Sequence, residues 1–253
     1  MVTKQFLKIY GERNTGTNYL SELTDLNLQV QQLPGVIPKW LSKIQQLIRG
    51  KEFARDAYFS MTYHQNLGWK HSQAKSVEDI CNCAICSRGL SFVTLTKNPY
   101  SWLLSMYRRP YHRYFSEKSD FETFLVTPWK SVDRENISGD ISSPVELWNI
   151  KNASYIQLAK KLPVLTLKFE DLLDDPEQVL KLISERFSWS WKVEQFINYD
   201  QSTKESSKDS EFYRDYYLNG KWKEELSARS ISIINKRLDD NVMNYFNYQK
   251  LTV

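Results

Sequence analysis

The sequence predicts an α/β fold: one domain over residues 1–253, with a central parallel β-sheet flanked by helices. Three observations lead there. Short apolar runs rich in β-branched and aromatic residues alternate with stretches of helical spacing, which is the pattern of parallel strands joined by crossover helices. The first run leads directly into a Gly-bounded loop and then a helix, at the very start of the chain. No internal repeat or low-complexity tract interrupts the 253 residues, and 41% hydrophobic with 25% charged residues is ordinary globular composition.

The elements follow in order. Residues 5–10, QFLKIY, read as a short buried strand, and NYLSELTDL after Thr17 has helical spacing. A helix is expected from Lys39 after Pro38 to Ile48, ended by Gly50, while residues 51–63 carry no decisive pattern. Leu90–Thr96, LSFVTLT, is a second buried strand. Asn98 and Pro99 then read as N-cap and first residue of a helix. A short helix is expected within residues 120–127, and the polar residues 128–143 read as an exposed excursion. Ser143-Pro144 opens a long helix to Lys161. Val164–Phe169 is a third strand, and Pro176–Phe187 a helix after Asp174 and Asp175. QSTKESSKDS, residues 201–210, reads as a polar loop. Ile231, Ile234, Leu238, Val242 and Tyr245 lie at helical spacing, predicting one helix over 227–246.

Composition narrows the function. A net charge of +4 lacks the strong or clustered basic signature of a nucleic-acid binder, so no nucleic-acid partner is expected. The start MVTKQFLKIYG has no apolar signal-peptide core, and no apolar run reaches the ~18 residues that span a bilayer. A cytoplasmic protein without a membrane partner is expected. In that compartment Asn136 and Asn152, each in an Asn-x-Ser match, are chance occurrences. The only three cysteines form Cys81-x-Cys83-x-x-Cys86, which is no disulfide framework. The spacing is not that of paired Cys-x-x-Cys zinc ligands, so free thiols are expected rather than a metal with His64 or His71 as fourth ligand. Aromatic residues make up 14% of the chain, either as core or as flat pocket walls.

Two segments carry candidate chemistry. Gly11-x-x-x-x-Gly16-Thr17 has the glycine spacing of a phosphate loop: a Gly-bounded turn converges backbone N–H groups, and the following helix adds its positive end. A nucleoside triphosphatase needs Lys directly after the second Gly; here Thr17 and Asn18 follow it. The loop therefore suits a 5′-phosphate outside a metal-bound triphosphate. The second segment is Lys97-Asn98-Pro99, with Ser105 two turns into the helix. A cation and a hydroxyl near a helix start can hold another phosphate. Arg108, Arg109 and Arg113 follow, the last two read as a solvated face.

Together these segments resemble the two cofactor motifs of the sulfotransferase family that uses 3′-phosphoadenosine-5′-phosphosulfate (PAPS). Arg13-Asn14-Thr15-Gly16-Thr17-Asn18 stands against the family's Pro-Lys-Ser-Gly-Thr-Thr, which binds the 5′-phosphosulfate. Lys97-Asn98-Pro99 with Ser105 is similar to its Arg-Asn-Pro…Ser, which binds the 3′-phosphate. Leu167-Lys-Phe-Glu170-Asp171-Leu172 with Asp175-Pro176-Glu177 is similar to its Tyr-Glu-Asp-Leu…Pro-Glu segment. Gly220-Lys221-Trp222-Lys223 resembles its C-terminal Gly-x-Trp-Lys loop over the 3′-phosphate. The resemblance implies the P-loop-like sulfotransferase fold, PAPS as cofactor with 3′-phosphoadenosine-5′-phosphate (PAP) as product, no metal, and a small-molecule acceptor.

The departures define what must be different. The family's first-loop Lys falls at Asn14, leaving Arg13 or Lys70 to take its place, and Lys97 replaces Arg, which loses the bidentate fork. Of His64, His71 and His112, only His71 lies in a Lys-His pair between the motifs, as the family's catalytic His does, and an imidazole accepts a proton near neutrality. His71 is the expected base, Glu12 its alternative, and Lys70 a stabiliser of the transferring group. Trp40, Trp69 and Trp222 are candidate adenine walls. Acceptor contacts are expected from residues 33–63 and 112–143. The residues also leave open a nucleotide kinase, disfavoured by the missing loop Lys, and a non-catalytic nucleotide- or glycan-binding protein.

Overall fold

The computed structural model describes residues 5–45, 51–110, 120–199 and 210–253. In chain order its elements are β1 (Phe6–Gly11), α1 (Thr17–Asn27), β2 (Gln31–Gln32), α2 (Lys39–Gln45), α3 (Lys51–Met61), α4 (Tyr63–Asn66), α5 (Val77–Cys81), β3 (Leu90–Thr96), α6 (Pro99–Arg108), α7 (Phe121–Val126), α8 (Pro144–Ala159), β4 (Val164–Lys168), α9 (Phe169–Asp174), α10 (Pro176–Phe187), α11 (Ser210–Leu218), α12 (Ala228–Asn235) and α13 (Asp240–Tyr245). Short 3-10 turns lie at Cys86–Arg88, Asp133–Glu135 and Lys221–Glu225.

The strands pair in parallel in the order β2–β1–β3–β4. Both faces of each central strand are buried, which is why their sequences are apolar runs without alternation. Phe6 and Tyr10 of β1 and Phe92 of β3 pack on one face with Leu67, Ile80 and Tyr155. Leu7 and Ile9 with Val93 and Leu95 pack on the other, against Leu20 and Leu23 of α1 and Leu180 and Ile183 of α10. A third cluster joins α6, α7 and α8 to α12 and α13 around Trp102, Trp148 and Trp222. Lys8, inside β1, is fully buried, and its ammonium donates to the carbonyls of Asn66 at 2.6 Å and Gly68 at 2.5 Å. It thereby ties β1 to the segment carrying Trp69, Lys70 and His71.

The chain leaves β1 for β2 on one side and crosses to β3 on the other. The C-terminal ends of β1 and β3 therefore flank a topological switch point, where α/β sheets bind ligands. Register makes this concrete: Gly11 is paired with Leu95, so the two candidate phosphate segments emerge side by side. Only glycine fits at position 11, because a Cβ there would lie 2.6 Å from the Leu95 carbonyl oxygen.

Several expectations need correction. Residues 128–143 are not an exposed excursion: Trp129, Val132, Arg134, Glu135 and Ile141 are buried, and Trp129 bridges Ile141. The helix expected over 227–246 is two, α12 and α13. Asp239 caps the second by accepting from the N–H groups of Asn241 and Val242, so a local polar stop overrides continuous apolar spacing. Residues 51–61 form α3, and α9 inserts a short helix between β4 and α10. Residues 46–50 and 201–209, with the expected end of α2 and most of the polar loop, lie outside the described residues. Among the described residues, no helix is long and apolar enough to cross a membrane.

Candidate active site at the switch point

A cavity of about 630 Å³ opens at this switch point, a size suited to a small ligand and cofactor fragment. Its floor is the loop from Arg13 to Asn18. Asn14 and Gly16 both take left-handed backbone angles, φ 65° and 82°. At Gly16 the angle is coupled to crowding, because a Cβ would sit 2.8 Å from Phe169. The turn delivers Thr17 as the first residue of α1, with the helix N-terminus toward the cavity. Arg13, Asn14, Gly16, Thr17 and Asn18 line it. Thr15 does not: its hydroxyl turns inward and donates to the Glu12 carbonyl at 2.5 Å.

Two fully buried tryptophans peg the site from below. The Trp102 indole donates to the Arg13 carbonyl at 2.8 Å, and the Trp148 indole to the Lys97 carbonyl at 3.1 Å. Asn98 caps α6 by accepting from the Tyr100 N–H, while its own N–H donates to Glu170 at 2.9 Å. The Glu170-Asp171 segment is thus a brace for the second motif, which its sequence position alone did not reveal.

Lys97 and Ser105 stand together, Nζ to Oγ 3.1 Å. Lys97 also reaches the Asn14 carbonyl at 3.4 Å, so the two loops share one cation. The Tyr217 ring covers that ammonium at 3.6 Å, and its hydroxyl lies 3.2 Å from Ser105 Oγ. Burial lowers the Lys97 pKa, opposed by Tyr217 and Glu170. Asn14 directs its amide to the Ser105 carbonyl at 3.4 Å and fastens the loop to α6.

Lys70 and His71 enter from the segment beside β1. The Gly11 N–H donates to the Lys70 carbonyl at 2.9 Å, and His71 Nδ1 lies 2.6 Å from the Gly11 carbonyl. A carbonyl only accepts, so Nδ1 carries the proton and Nε2 keeps its lone pair. Burial first, then Lys70 and Arg13, push the His71 pKa well below its usual value. Its surroundings therefore favour the neutral imidazole. Lys70 hydrogen-bonds Asn18, and burial with the nearby Arg13 charge lowers its pKa to about 8.

Other expected residues lie elsewhere. Glu12 is buried beneath the loop in an ion pair with Lys151 at 2.5 Å and does not line the cavity, so it is not placed to meet an acceptor proton. Gly220, Lys221 and Trp222 do not line it either. Trp222 stacks on Tyr100 in the core, 6.3 Å between centroids, and Lys221 pairs with Asp215. Trp40 is 61% exposed, whereas Trp69 lines the cavity. Cys81, Cys83 and Cys86 are free thiols, with Cys83 3.6 Å from His64 Nδ1. His112 and Arg113 lie outside the described residues.

Much of the wall carries no local signal in the sequence. Arg108 and Arg109 are exposed, as expected of Arg109, and they also line the cavity, together with Arg55, Arg134 and Arg214. One side of α11 presents Phe212, Tyr213, Tyr216 and Tyr217, with Tyr213 and Tyr217 stacked 6.3 Å apart. Among the described residues, no carboxylate lines the cavity.

No protein-family model and no curated protein matches this chain. Solved structures do. A mouse sulfotransferase complexed with PAP is 12% identical, with 97% of this chain and 89% of that one covered and a TM-score of 0.48. A sulfotransferase from Alicyclobacillus acidocaldarius is 18% identical, covering 96% and 100%, TM-score 0.41. The sulfotransferase domain from the curacin biosynthetic pathway is 12% identical, covering 98% and 99%, TM-score 0.41. This chain is similar to these sulfotransferases along nearly its whole length.

Proposed function

We propose that this protein is a sulfotransferase, with residues 1–253 acting as one domain. It moves a sulfuryl group from PAPS to a hydroxyl or nitrogen of a small polar acceptor such as a secondary metabolite or saccharide. The observation that carries this reading is the pairing of two anion subsites in one cavity. Arg13–Asn18 suits the 5′-phosphosulfate, and Lys97 with Ser105 suits the 3′-phosphate. An adenosine carrying both groups spans them; a triphosphate does not use the second.

Sulfuryl transfer resembles phosphoryl transfer, in which catalysis is positioning and electrostatics around a loose transition state. The acceptor proton passes to His71 Nε2 as the acceptor atom bonds to sulfur. The bond from sulfur to the bridging oxygen breaks, and PAP leaves. Negative charge gathers on the bridging and sulfuryl oxygens, where Arg13, Lys70 and the loop N–H groups face it. Lys70 and Arg13 do the work of the Lys that Asn14 replaces. Trp222 belongs to the core, so the adenine wall is assigned to cavity aromatics such as Phe169 and Tyr213.

The test is radiosulfur transfer from labelled PAPS to a panel of alcohols, phenols and amines. The reading expects a labelled product, PAP in equal amount, and a loss of about 10²–10⁴-fold in His71→Asn. Phosphoryl transfer from ATP instead would establish the kinase reading.

A further inference from the structure

Lys151 of α8 lies beneath both halves of this site, with its side chain wholly buried. Its ammonium meets Glu12 at 2.5 Å, Glu135 at 3.2 Å and the His71 carbonyl at 2.8 Å. Glu12, in turn, accepts the Arg13 N–H at 2.6 Å through its other oxygen. Its backbone carbonyl takes the Thr15 hydroxyl. One charged nitrogen thus holds the root of the phosphate loop through a carboxylate and the backbone of the histidine directly.

We propose that Lys151 is a positioning residue, a buried hub that fixes the distance and orientation between the phosphosulfate loop and the His71 base. This rests on the sulfuryl-transfer reading for the roles of the two partners, but the geometry does not. A buried ion pair is a poor source of net stability, since desolvation offsets its attraction, and its best-attested use is to specify register and relative orientation. Mere packing would be served by an apolar side chain. Lys151 keeps its charge here because Glu12 and Glu135 outweigh the penalty of burial. The next turn of α8 continues the support: Tyr155 donates to the Ser72 carbonyl at 3.0 Å, on the residue after His71.

The experiment needs no acceptor. Proton–nitrogen correlation spectra of histidine-labelled protein report the His71 tautomer, assigned with His71→Asn, and calorimetry reports PAP affinity. In the intact protein His71 is expected as the Nδ1–H tautomer. In Lys151→Met, His71 is expected to show mixed tautomers, and PAP to bind at least about tenfold more weakly. Glu12→Gln keeps the loop's shape while weakening the pair, and should loosen PAP several-fold. It remains readable if Lys151→Met fails to fold. A folded Lys151→Met, or else Glu12→Gln, with an unchanged His71 tautomer and unchanged PAP affinity would overturn the proposal. An intact protein that binds PAP no better than AMP would instead defeat the sulfotransferase reading, leaving the tautomer result to judge Lys151 alone.

Discussion

The Gly11 carbonyl, held in place by the β1–β3 register, decides which nitrogen of His71 is basic, and burial favours the neutral ring. Lys70 is the opposite case: the proposed reaction needs it to keep a proton that burial and Arg13 have loosened. Its pKa of about 8 means that the free protein loses this ammonium as pH rises through that value. An anionic ligand prefers the charged form, so binding must recapture the proton. PAP affinity should therefore hold near pH 7 and fall above pH 8, approaching tenfold per unit. In Lys70→Arg the fall should vanish, because guanidinium does not titrate there. Calorimetry from pH 6.5 to 9.5 checks both; an unchanged fall in the arginine variant would place the titration on another group.

At the scale of elements, the parts legible in the sequence are those with local causes. β1 and β3 are short apolar runs buried on both faces, and Gly11, Gly16, Asn98 and Pro99 write the turns and the α6 start in residue chemistry. The parts that were not legible depend on distant partners. Arg134 is buried in ion pairs with Glu52 and Asp56 from α3, so a polar stretch read as solvated is part of the interior. The aromatics of α11 carry no local sign of a ligand role; their place along the cavity, with Tyr217 over Lys97, makes them a wall. Trp222 is the reverse: motif position suggested a ligand contact, yet its ring packs on Tyr100. Trp222→Ala should lower the unfolding free energy by about 3–5 kcal/mol. PAP affinity, measured well below the melting temperature, should stay within about threefold. A selective loss of affinity without loss of stability would return Trp222 to the ligand.

For the whole molecule, the buried Glu12–Lys151–Glu135 group links function to stability. Burial, partly offset by Lys151 and reinforced by Glu12, raises the Glu135 pKa to about 7. A folded-state pKa above the unfolded value of 4.5 means that the folded protein binds the extra proton. That contribution is complete below the unfolded pKa and is lost as pH rises through 7. The thermal stability of the wild type should therefore fall from pH 5 to 8 relative to that of Glu135→Gln, which has no proton to lose. A constant difference in Tm between the two across that range would contradict the assignment. No such long-range triad can be read from sequence, since Glu12, Glu135 and Lys151 share no local pattern and meet only because α8 packs under the switch point.

The most direct test of the central claim is a calorimetric titration with PAP beside AMP and ATP. The account predicts micromolar binding of the bisphosphate, at least about tenfold tighter than AMP, with that advantage lost in Lys97→Ala. Equal affinity for PAP and AMP, or an advantage that survives Lys97→Ala, would contradict a 3′-phosphate subsite at Lys97 and Ser105 and with it the sulfotransferase reading.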